Sequence, residues 1–257
     1  MSDAFNPGFT GLALASLLMV ALLIAARLSH VSLLKKGLIA AARSAIQLLA
    51  VGMVLDRVFS IDRVLFVFGI LAIMVVVAGL TADSQIKRLV GRLWLLLCAI
   101  LASVTLAIML YVTRVVLNLP ELSARYVIPL GGIVLGNAMT AATLAANRYF
   151  EHLSEGRARV ETALSLGASP AQADLPAFTS AFMTAVTPVL NAMMIVGIVK
   201  LPGIMSGQML GGSQPWTAAQ YQLVVMFMLA CGDGLTALWV LRILRKRVFS
   251  TAWQLKI

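Results

Sequence analysis

Acidic side chains are few in this chain: ten Asp and Glu among 257 residues, with charged residues of both signs making up only 12%. Soluble domains carry roughly 25% charged residues, so an ordinary water-facing globule is excluded. Histidine and cysteine are scarcer still, at two each. His30 and His152 stand in polar connections, Cys98 and Cys231 stand alone inside apolar runs, and neither a C-x-x-C pair nor an H-E-x-x-H helix is present. Residues alone therefore identify no metal centre, and the cysteines read as packing residues rather than a disulfide. The 13 methionines read as flexible filling of an oily interior rather than soft-metal ligands. A G-x-x-x-x-G-K-[ST] phosphate loop is also missing. The chain cannot cradle ATP by that device, and energy from nucleotide must enter through another subunit.

What is there is oil. Hydrophobic residues make up 61% of the chain and the mean hydropathy is +0.97, the composition of a multi-pass membrane protein. Seven apolar runs, near residues 8–26, 38–55, 62–81, 93–113, 126–146, 180–199 and 219–241, are long enough to cross hydrocarbon as helices. Together they predict an all-α bundle forming one transmembrane domain over 1–257. The net charge of +10 invites comparison with nucleic-acid binders, but the Lys and Arg sit in short clusters between apolar runs rather than on one face, so no nucleic-acid partner is expected. With the N-terminus outside, 14 basic residues fall on the inner side and five on the outer. The positive-inside rule then predicts an outside N-terminus and a cytoplasmic C-terminus. The first run lacks a basic n-region and reads as a spanning helix rather than a cleaved signal.

One sizeable inner connection is expected, from Asn147 to about Thr179, and it contains "ETALSLGASPAQADLP" (161–176). Good helix formers lead to Gly167, which stands where a helix ends in a left-handed cap. Ser169, Pro170 and Gln172 then have the spacing of a capping box with proline at the first helical position. The pattern predicts a short helix, a sharp turn and a second helix feeding the sixth span. Two readings stay open at this point: a lever through which a partner tilts that span, or a solvated connector with neat caps.

Polar residues inside spans are costly unless they face a cavity or a partner. Gln47 lies four residues after Arg43, on one face of the second span, with snorkelling of Arg43 to headgroups as the alternative. Asn137 follows Gly131, Gly132 and Gly136, a stretch read as close helix packing with Asn137 as interhelical glue. Pro188, followed by Asn191 and Gly197, predicts a kink or hinge in the sixth span. Beyond it, residues 201–212, with Pro202, Gly203 and Gln208, read either as a re-entrant segment or as a tight turn with a short amphipathic helix. Asp233, between Gly232 and Gly234, must be protonated, paired or wet, and Arg43 is the one basic residue also expected inside a span. Gln47, Asn137, Asn191, Gln208 and Asp233 are the candidate substrate path; Gly132, Gly136, Pro188, Gly197, Pro202 and Gly203 are the candidate hinge or packing positions.

Several longer stretches resemble a known family. "ARSAIQLLAVG" (42–52), "IPLGGIVLGNAMTA" (128–141), "ALSLGASPAQA" (163–173), "TPVLNAMMIVGIVKLPGIMSGQMLGG" (187–212) and "YQLVVMFML" (221–229) look like the signature stretches, in order, of the FetB-type (YbbM-like) iron-export permeases, which are related to plant aluminium-tolerance permeases. Glu161, Ala163 and Gly167 resemble the EAA-type coupling loop of ABC-transporter permeases. The resemblance implies an ABC permease subunit of the bacterial inner membrane, used as a homodimer with a FetA-type ATPase, with ATP and Mg2+ bound by the ATPase and no cofactor of its own. It implies that Glu161, Ala163, Leu164, Gly167, Ala168 and Pro170 meet the ATPase, and iron enters only through it. Asp233 and Lys200 depart from the family pattern. The alternatives are the same architecture moving another metal or a nucleotide sugar, or an intramembrane enzyme. An aspartyl protease would need a second carboxylate facing Asp233, and no other Asp or Glu lies deep in a span.

Overall fold

Inside hydrocarbon every backbone N–H and C=O must be satisfied within its own segment, so long apolar runs fold as helices. A computed structural model describes residues 8–61, 64–86, 91–118 and 124–256. The expected spans are α1 (Gly8–Leu28), α2 (Leu34–Ile61), α3 (Val64–Gln85), α4 (Trp94–Tyr111), α5 (Ala124–Glu155), α8 (Leu175–Ile195) and α10 (Pro215–Val248). All seven are long and apolar enough to cross a membrane, which makes the chain an all-helical multi-pass membrane protein. Three short helices complete it: α6 (Arg157–Ser165), α7 (Pro170–Ala173) and α9 (Gly203–Leu210). The last turns of the fourth span, Val112–Val116, open into a π-helix.

The described helices cluster into two compact units, residues 1–61 and residues 62–257. In the first, α1 packs on α2 at Gly37, where a β-carbon would stand 2.6 Å from Leu23 Cδ2 and 3.2 Å from Met19 Cε. In the second, α5 is the central helix, packing against α3, α4, α8 and α10. Small residues make that possible: Ala138, Ala141, Ala142, Ala145 and Ala146 on α5, and Ala177, Ala181 and Ala185 on α8, are all buried, and short side chains let helix backbones approach where lipid offers no hydrophobic drive.

The expected glycine packing on α5 is realised at Gly131 and Gly132, whose β-carbons would stand 2.7 Å from Leu71 Cδ2 and 3.0 Å from Met74 Cε of α3. Gly136 faces open space. The stripe of α5 turned to α3 runs through Gly131, Leu135 and Ala138, the last two in one core cluster with Ala78 and Leu101, and Gly136 falls outside it.

At 32 and 34 residues, α5 and α10 are about 48 and 51 Å long at 1.5 Å per residue, against about 30 Å of hydrocarbon. Both outrun their expected ends at 146 and 241. The fully buried side chains Tyr149, Phe150, Leu153, Leu244 and Val248 lie in these extensions, so the bundle is tightly packed at the end where the elbow attaches.

Candidate functional site

The connection after Asn147 is almost wholly helical. Helix α5 runs on to Glu155, Gly156 alone separates it from α6, and α8 begins at Leu175, five residues before the expected sixth span. Helix α6 stops at Gly167, whose φ is +91°. Gly167 N–H donates to Leu164 O and Ala168 N–H to Ala163 O, both at 3.0 Å, the paired bonds of a Schellman cap. The alanine and glycine of the coupling motif are thus the two ends of one helix stop. Gln172 Oε1 accepts from the Ser169 backbone N–H at 2.9 Å and from its hydroxyl at 3.0 Å, and Pro170 opens α7. The second helix of the elbow is a single turn: it ends at Asp174, and Leu175–Pro176 start α8.

A side chain at a left-handed position costs about 1–2 kcal/mol. Gly167→Val is expected to speed amide hydrogen exchange at residues 164–168 while α5 and α10 keep their protection, read by exchange mass spectrometry on the purified chain.

Glu161 pairs with Arg157 on its own helix at 2.8 Å, both about half exposed, a contact worth only a few tenths of a kcal/mol. Ala163, Leu164, Ala168 and Pro170 are half-buried. Val160 is the buried residue of α6, while Leu166, at the tip, is 83% exposed.

Beneath the elbow lies a cluster that sequence reasoning missed. Asp174 is fully buried between α7 and α8. Its Oδ2 accepts from Tyr149 Oη at 2.5 Å and from Arg245 Nε at 2.8 Å, so one carboxylate ties the elbow to the extended ends of α5 and α10. The Arg245 guanidinium also stacks on the Phe178 ring, 4.5 Å from its centroid, and Arg148 Nε donates to Ser180 Oγ at 3.1 Å. The only local signal was an acid wedged between two caps. Its partners lie 25 and 71 residues away, and Arg245 reads in the sequence only as orientation charge.

A second site lies within the bundle. Helices α5, α8 and α10 and the turn after α8 line a half-open pocket of about 210 Å³ with Asn137, Thr140, Pro188, Lys200, Met226 and Asp233, among others. It brings together Asn137 and Asp233 of the candidate path, beside the hinge candidate Pro188. Asn137 donates to Ile133 O at 2.9 Å and Thr140 to Gly136 O at 3.0 Å, so each spends a donor on its own helix. Asp233 is 5% exposed and its Oδ1 has no hydrogen-bond partner. Lys200 is exposed in the turn after α8, where Gly197 N–H meets Lys200 O at 3.0 Å. Asn191 is exposed, and Gln208 is half-buried on α9, the short helix between Pro202 and Gly211; neither lines this cavity. Gln47 and Arg43 are exposed on α2, in the first unit. Among the described residues no three His, Cys, Asp or Glu side chains come together. Both cysteines are free.

Comparison with known proteins gives one consistent answer. The description "Uncharacterised protein family (UPF0014)" matches residues 9–249. The chain is 36% identical to the UPF0014 membrane protein slr1647 of Synechocystis, over 85% of each chain. It is 32% identical to the protein ALUMINUM SENSITIVE 3 of Arabidopsis thaliana, over 93% of this chain and 87% of that one. It is also 29% identical to the probable iron export permease protein FetB of Escherichia coli, over 96% and 94%. No solved structure gives a significant match. With nearly its whole length matched, and with seven spanning helices, the chain belongs to the UPF0014 family of membrane proteins.

Proposed function

We propose that this chain is the membrane-spanning permease subunit of an ABC exporter, working as a homodimer in the bacterial inner membrane and driven by a separate ATPase that grips the elbow on the cytoplasmic side. The observation that carries this reading is the clamp at Asp174. A force applied to α6 and α7 passes through one buried carboxylate into both long helices, α5 and α10, which wall the polar cavity. A solvated connector has no need of such an attachment. Glu161 and the exposed Leu166 present the elbow's outer surface, and the ATPase supplies ATP and Mg2+ chemistry that this chain has no phosphate loop to perform. Iron is the first solute to test, because a relative is named for its export.

The test is copurification with the stand-alone ATPase. Leu166→Asp is expected to weaken retention about thirtyfold, the size of a hot-spot contact of about 2 kcal/mol, with the permease's thermal midpoint unchanged because the side chain is already in solvent. Undiminished retention removes the elbow from the interface. Labelling of Ala158→Cys from outside intact cells would overturn the orientation and with it the whole reading.

A further inference from the structure

The polar pocket places an acidic and a basic side chain, Asp233 and Lys200, in one lining without an ion pair between them. Asp233 presents a carboxylate that is 5% exposed, with one oxygen unpartnered, while the Lys200 side chain lines the same space from an exposed turn. No ion pair within 4.0 Å joins them among the described residues. A carboxyl group this buried in a span ionises only beside a counter-charge or water, and the remaining lining offers no second charge. Asn137 and Thr140 give neutral oxygens, and Met226 a thioether.

Volume limits what could supply it. A single buried water needs a space of only about 10–15 Å³, so a pocket of about 210 Å³ has room for several. A cation keeping most of an octahedral water shell fits, with Asp233 as its charged ligand and the oxygens of Asn137 and Thr140 facing its waters.

We propose that Asp233 is the anionic ligand of a hydrated-cation site in this pocket, and that Lys200, tethered at its mouth, is a competitor that swings onto Asp233 when the cation leaves. The geometry makes the competitor useful. Lys200 follows the end of α8 remote from the elbow, so its ammonium lies at the far mouth of the cavity. There it repels a cation approaching from that side, and a departing cation leaves the ammonium free to swing onto Asp233. The site would thus favour release towards the Lys200 side over return, the polarity that an exporter needs. This inference rests on the permease reading above.

The experiment uses the full chain in phosphatidylcholine nanodiscs with Mn2+ as probe, free Mn2+ being read by electron paramagnetic resonance. Lys200→Gln, which changes an exposed side chain, is expected to tighten Mn2+ binding about tenfold by removing the competitor. Asp233→Asn, an isosteric change in an open space, is expected to weaken it by about tenfold or more, and Asp233→Glu to restore part of it. Mn2+ binding that is unchanged or weaker in Lys200→Gln overturns the proposal, the weaker result marking a site for a solute of both charges. Equal affinity in wild type and Asp233→Asn, or no binding by any form, overturns it as well. Retention on the ATPase, measured on the same preparations, separates failure of this site from failure of the permease reading.

Discussion

Asp174→Ala is expected to detach the elbow from the bundle and to cost more stability than any other single change at the site. Removing one partner of a buried ion pair leaves the other uncompensated, at about 3–5 kcal/mol. Here the loss strands Arg245, only 23% exposed in its side chain, and the hydroxyl of fully buried Tyr149. The measurement is the thermal midpoint of the solubilised chain, together with the rate of protease cleavage across residues 156–170. Tyr149→Phe keeps the ring's packing and removes one bond to a charged acceptor, so its expected cost is smaller, about 1.5–3 kcal/mol. Arg245→Met leaves the carboxylate buried with the tyrosine alone and belongs with the large effects. The double variant Asp174→Ala, Arg245→Met is expected to recover part of the loss, because no charge is then left unpaired. On the proposed permease reading, Asp174→Ala is expected to leave the partner ATPase hydrolysing nucleotide while transport stops. A loss of stability within about 0.5 kcal/mol, the range of an ordinary surface change, would show that the cluster is not a fastening.

Gly79→Leu is expected to drive α3 and α4 apart. A β-carbon at Gly79 would collide with Cys98 Sγ and would stand 3.2 Å from Cys98 N and 3.3 Å from its Cα. Part of the obstacle is backbone, which cannot rotate out of the way as a side chain can. Overpacking of this kind costs about 1–3 kcal/mol and more when a helix must move. Gly79→Ala should show a smaller loss, and Cys98→Ala in the same chain should relieve the sulfur contact but not the backbone one, giving partial rescue. The readout is again the thermal midpoint in detergent. Full tolerance of leucine would mean that the two helices are held less closely than their contact at Cys98 implies.

Spans and elbow were legible in the sequence because their causes are local. Twenty apolar residues in a row read as a spanning helix whatever surrounds them, and the Gly167, Ser169, Pro170 and Gln172 pattern is chemistry between residues three to five apart. Even so, the ends were misplaced where tertiary packing overrode hydropathy. Tyr149, Phe150 and Leu153, all fully buried, carry α5 well beyond the apolar window, and Pro176 restarts a helix that the loop reading ran straight through. Asp233 and Asn137 stood out by their cost in hydrocarbon, and they do share a cavity. Asn191, Gln47 and Gln208 stood out for the same reason and do not line it, since polarity along a helix says nothing about which neighbour its face meets.

By itself the sequence determined that this is an oily, multi-pass helical protein, carrying a capped elbow between its fifth and sixth spans. Only the tertiary structure decided that Asp174 closes on Tyr149 and Arg245, that Gly79 rather than Gly136 marks a close crossing, and that Lys200 and Asp233 look into one space. Hydropathy and capping act within a few residues along the chain. A buried charge, by contrast, selects its partner by where two helices end up in space, over separations of up to 71 residues that no local pattern encodes.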